Sequence, residues 1–145
     1  MEILTIGFTK KNAAHFFGTL TDAGVQQLID VRLNNVSQLA GFTKRDDLAY
    51  FLDRIGHMSY RHELLLAPTQ LLLDHYRKGG GSWDSYARGF LDLLEDRRVE
   101  DHLDRSLFDR RTVLLCSEPT ADRCHRRLVA EYLATKWGDI SVVHL

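Results

Sequence analysis

Short apolar runs alternate with longer stretches whose apolar positions recur every three or four residues. Ile3 to Ile6, closed by Gly7, reads as a buried strand. Lys10 to Ala23 carries Ala13, Phe16, Phe17 and Leu20 at helical spacing, with Gly24 as the stop. Gln27 to Val31 reads as a second buried strand. Thr43 to Ile55 reads as a helix with Leu48, Phe51, Leu52 and Ile55 on one face, ended by Gly56. Met58 to His62 suits a short third strand. Pro68 to Tyr76 and Ser82 to Glu95 follow as helices, joined by a flexible glycine connector, with Ser82 placed to cap the second. Thr112 to Cys116 is a continuous apolar run of the kind found at the centre of a parallel sheet. A helix over Ala121 to Lys136, capped by Thr120 and stopped by Gly138, and a strand over Ile140 to His144 complete the chain. This order predicts a single α/β domain over 1–145: a three-layer sandwich with a mostly parallel sheet of about five strands and helices on both faces.

The chain has 145 residues, 44% hydrophobic and 27% charged, which suits a globular core and speaks against disorder. The formal net charge of -1 gives no global pull toward polyanions, so any nucleic-acid contact needs a local basic patch. Two cysteines are too few for a secreted disulfide scaffold, and no secretory signal or run of ~20 apolar residues is visible. The expectation is a cytoplasmic protein with no membrane partner. Nothing in the sequence specifies a cofactor or an oligomeric state.

In open parallel sheets, ligands bind beyond the carboxyl ends of the strands. There the chain carries Thr9, Asp30, Arg32, His62, Cys116 and Glu118, and the last helix opens with Cys124, His125 and Arg126. Asp30 and Arg32 share a strand face and read either as an ion pair or as part of a site. His125 shares the stripe of Leu128, Val129 and Tyr132, so it points inward toward the sheet edge. A helix start flanked by arginines favours a reactive or ligating Cys124. The end of an apolar strand suits an inert, buried Cys116. Six residues separate Cys116 from Arg123, one more than in thiol phosphatase loops, and Pro119 removes an amide. The Cys and His spacing is not that of a zinc finger, and no metal site is expected.

These residues bring a family into view. Leu4 to Thr9, Leu28 to Arg32, Tyr60 to His62, Leu66 to Thr69, Trp83 to Tyr86, Leu114 to Glu118, Cys124 to Arg126 and Val143 to Leu145 occur in an order that resembles the "domain of unknown function 488" family. The resemblance implies an α/β sandwich with a parallel sheet. It marks Asp30, Arg32, His62, Cys116, Glu118, Cys124, His125 and Arg126 as characteristic polar positions, and it supplies no reaction. Asn35 and Gln38 stand where the family often has Pro and Arg.

The leading expectation is an enzyme acting on a phosphate-bearing substrate, a nucleotide or nucleic acid. His125 serves as general acid or base or as an orienting group, Cys124 or Cys116 as nucleophile or ligand, and Asp30 orients a neighbour. Arg32 and Arg126 hold the anion, with Thr9, His62 and Glu118 as further contacts. The rival readings are a non-catalytic anion or nucleic-acid binding module, whose affinity falls steeply with salt, and a redox or metal sensor built on the two thiols.

Overall fold

A computed structural model describes residues 1–118 and 121–145. Five strands, β1 (Glu2–Gly7), β2 (Gln27–Asp30), β3 (Ser59–His62), β4 (Thr112–Cys116) and β5 (Ser141–His144), form one sheet in the order β3-β2-β4-β1-β5. Every pairing is parallel. The three central strands are almost wholly buried. β3 and β5, at the edges, are partly exposed, as their weaker apolar character demands.

Alternation along the strands divides the core in two. Leu4, Ile6, Leu28, Val113 and Leu115 face α1 (Ala13–Asp22) and α2 (Arg45–Gly56). Ile3, Ile29, Val31, Leu114 and Cys116 face α3 (Gln70–Arg77), α4 (Trp83–Arg97), α5 (Val99–His102) and α6 (His125–Trp137). The protein is therefore a three-layer α/β sandwich. The helices after β1 and β2 lie on one face and the helix after β4 on the other, so the chain reverses its winding beside β4. A crevice opens at such a point, beyond the strand ends.

Several helix boundaries differ from the sequence reading. Asn12 caps α1, its Oδ1 accepting from the His15 amide at 2.7 Å. Gly56 lies within α2, and His57 takes the left-handed turn that ends it. Thr69 caps α3, leaving Pro68 outside. Ser82 caps α4 as expected, accepting from the Ser85 amide at 3.1 Å. The largest shift is in α6, which starts at His125 and not at Ala121. Cys124 is extended at its N-terminus and gives no side-chain cap. The expected cap Thr120, and Pro119, lie outside the described residues. Residues 121–124 are spent on a turn because Cys124 and Arg126 must both reach the sheet edge.

Candidate functional site

The end of β2 is held by two histidines. Val31 and Arg32 lie beyond the last paired residue of β2, so their carbonyls lack strand partners. His125 Nε2 donates to the Val31 carbonyl at 2.8 Å, and His62 Nε2 donates to the Arg32 carbonyl at 2.6 Å. Since a carbonyl only accepts, both rings carry a proton on Nε2.

On the α1/α2 face, Asp30 and Arg32 pair through a bidentate fork. Arg32 Nε and Nη2 each donate to the carboxylate at 2.8 Å. Tyr60 Oη donates to it at 2.7 Å, Asn35 Nδ2 at 3.2 Å and the Arg32 amide at 3.1 Å. Arg32 also donates to the Thr43 carbonyl at 2.7 Å and lies 5.3 Å from the Phe8 ring centroid. Burial pushes the Asp30 carboxyl up, but the bonds and charge of Arg32 and the Tyr60 hydroxyl outweigh it and hold it below its ordinary value. The same burial and the Asp30 charge push the Tyr60 hydroxyl up. Asn35 thus completes the shell of Asp30, whereas Gln38 is exposed.

On the opposite face, Cys116, Cys124 and His125 converge, all buried, with their donor atoms within 4.8 Å of one another. Cys116 Sγ lies 3.3 Å from His125 Nδ1. With Nε2–H committed to Val31, Nδ1 presents its lone pair to the thiol. Phe90 packs edge-on against the imidazole, with ring centroids 5.4 Å apart. Burial pushes the Cys116 thiol up. The Cys124 thiol, the Ser117 and Glu118 amides and the Arg126 charge counter this, and the net direction is down. Cys124 is pushed up by burial, by its hydrogen bond to Cys116 and by the Cys116 charge. Burial likewise pushes His125 down, toward the neutral ring. Position along the chain favours Cys124 as the reactive thiol, whereas the contacts made in the fold favour Cys116.

Arg126 is fully buried. Its Nη1 donates to the Glu118 carbonyl at 2.6 Å and its Nε to Thr5 Oγ1 at 3.3 Å. Thr5 Oγ1 in turn lies 2.6 Å from His144 Nδ1. Having accepted from Arg126, the hydroxyl gives its own proton to His144, whose ring is kept neutral by burial and the Arg126 charge. No carboxylate pairs with Arg126 among the described residues, so its charge is free to act on Cys116. Thr9 sits on the exposed lip and donates its amide to the Ser117 carbonyl at 3.0 Å.

Two small adjoining cavities, about 30 and 40 Å³, reach this centre, and both are lined by Cys116, His125, Leu73 and Arg77. Each holds about one water molecule. Arg32 lines one; Glu118, Arg123 and Trp83 line the other. Arg77 and Arg123 are exposed at the mouth, and among the described residues neither makes an ion pair. Larger grooves of about 400 and 490 Å³ lie between helices, with mainly apolar linings.

All the expected site residues thus stand around the carboxyl edge of the sheet, but on two sides of it. Asp30 and Arg32 satisfy one another on one side, and the thiols and His125 gather on the other. Arg77 and Thr5 were not anticipated. Arg77 had a signal, being four positions after buried Leu73 on one helix face. Thr5 had none.

A family model described as "Domain of unknown function DUF488" matches residues 12–133. The chain belongs to the DUF488 family. The matched span contains both thiols, His125, Arg126 and the Asp30–Arg32 pair, while Thr5 and His144 lie outside it. Neither the curated proteins nor the solved structures give a match. No helix among the described residues is long and apolar enough to cross a membrane.

Proposed function

We propose that this DUF488 protein is an enzyme acting on a phosphate-bearing substrate, with Cys116 as nucleophile and His125 as its proton partner. The observation that carries this reading is the 3.3 Å approach of Sγ to Nδ1, in a ring whose other nitrogen is fixed on the Val31 carbonyl. That is the arrangement of a thiol, a base and an orienting group. As Sγ bonds to phosphorus, Nδ1 takes the thiol proton and returns it to the departing oxygen. Water then cleaves the S–P bond and releases phosphate. The Cys124 thiol, the Ser117 and Glu118 amides and Arg126 stabilise the thiolate. The exposed Arg77 and Arg123 hold the anion at the mouth, while the body of a nucleotide or nucleic acid stays outside the narrow slot. Thr9, His62 and Glu118 provide rim contacts. Asp30 acts through Arg32 as a positioning residue.

Cys116→Ser and His125→Ala should each lower turnover on a panel of phosphate esters by about 100-fold or more, with the circular-dichroism spectrum unchanged. Arg77→Ala with Arg123→Ala should raise KM and leave kcat nearly intact. Full turnover in folded Cys116→Ser would defeat the proposal. The contact between the two thiols supports a second reading, thiol-based redox sensing. Under that reading, mild oxidation joins Cys116 to Cys124.

A further inference from the structure

We infer that Cys116, Cys124 and His125 form a binding site for one soft divalent cation of the zinc class. The inference stands on the placement of three donor atoms and does not depend on the reaction proposed above. A tetrahedral zinc ion, with bonds of ~2.3 Å to sulfur and ~2.0 Å to nitrogen, holds its donors roughly 3.3–3.8 Å apart. Cys116 Sγ and His125 Nδ1 already stand 3.3 Å apart, and all three donors lie within 4.8 Å. Small side-chain rotations close the remaining distance.

The surroundings match what such a site needs. A ligating imidazole donates its second N–H to a backbone carbonyl or carboxylate, which fixes the ring. His125 does so to Val31 at 2.8 Å, leaving the lone pair on Nδ1 directed at the thiols. The Ser117 and Glu118 amides direct hydrogen bonds at Cys116 sulfur. Two thiolates and an imidazole, with no carboxylate in the cluster, select zinc, cobalt or cadmium over magnesium and calcium. On binding, both thiols release their protons to solvent and two S–metal bonds form, so the paired negative charges offset the cation. The adjoining cavity of about 30 Å³ leaves the fourth position for water. This arrangement resembles an exchangeable site more than a closed structural one. A bound cation caps Cys116 sulfur, so metal occupancy and thiol nucleophilicity exclude each other.

The test uses the full chain, reduced and stripped with a chelator, titrated with Co²⁺ alone and followed by absorbance. One equivalent should produce intense tetrahedral visible bands and a near-ultraviolet sulfur-to-cobalt band, both erased by Zn²⁺. Cys124→Ala and His125→Ala should each weaken binding more than ~10-fold, with far-ultraviolet circular dichroism confirming that they fold. Should a variant fail to fold, protection of both thiols of the wild type from oxidation by dilute hydrogen peroxide when Zn²⁺ is bound decides the matter. Weak octahedral bands without the sulfur band, or thiols equally reactive with and without Zn²⁺, overturn the inference. None of these readouts involves turnover, so the proposed reaction can fail while the metal site stands.

Discussion

Replacing Asp30 with Asn should cost about 3–5 kcal/mol of stability, because it strands the buried Arg32 guanidinium without its counter-charge. Asn keeps the shape of the side chain but offers one acceptor oxygen where the carboxylate now takes bonds from Arg32, Tyr60 and Asn35. A loss of that size lowers the melting temperature by on the order of 10 °C in a chain of this length. The pH dependence has a definite sign. The folded carboxyl sits below its ordinary value of 3.8. Its stabilisation is therefore complete above that value and disappears as pH falls through the lower folded value. Wild type should lose stability below about pH 3.8, whereas the Asn variant lacks this component of the acid limb. Thermal melts of both proteins between pH 7 and pH 2.5 check the point. Equal stability at pH 7 would show that the pair contributes little.

Gly7→Ala should be nearly as damaging, and the damage should reach the site. A Cβ at Gly7 would fall 1.5 Å from the Glu118 carbonyl oxygen and 2.5 Å from Arg126 Nη1. The first of these is backbone, so the loop after β4 must move. The cost lies at or above the upper end of the ~1–3 kcal/mol typical of overpacking. Moving this loop also withdraws the Ser117 and Glu118 amides from Cys116. Reactivity of Cys116 toward a small alkylating agent should then fall even in the folded fraction. A variant with wild-type melting and wild-type thiol reactivity would contradict this account of Gly7.

The architecture was readable from the chain because its cues are local. The run Thr112–Cys116 is read to the residue, since a fully buried parallel strand shows as unbroken apolar sequence. The pairing of Asp30 with Arg32 follows from a period of two, and the inward aim of His125 from its stripe with Leu128 and Val129. The misreadings have tertiary causes. Residues 121–124 have helical composition, yet they turn so that Arg126 can bond to the Glu118 carbonyl across a glycine in β1. The contacts that lower the Cys116 thiol, the Cys124 hydrogen bond first and then the Ser117 and Glu118 amides and the buried Arg126, are brought to it only by folding. Arg126, expected to hold an anion, is fully buried and is bonded to the Glu118 carbonyl and to Thr5. The exposed Arg77 and Arg123 are the arginines that stand at the cavity mouth.

The central claim is that residue 116 carries the reactive sulfur. Dilute hydrogen peroxide, small enough for a slot that holds one water, tests it most directly in chelator-treated Cys116→Ser and Cys124→Ser proteins, whose hydroxyl keeps the hydrogen bond between the two positions. Peroxide transfers one oxygen atom to the sulfur and, with the thiol proton, leaves as water, and the sulfenic acid is trapped with dimedone as the protein is unfolded and counted by mass spectrometry. The protein retaining Cys116 should be labelled at least ~10-fold faster than the one retaining Cys124. Equal labelling, or faster labelling of Cys124, would contradict the claim.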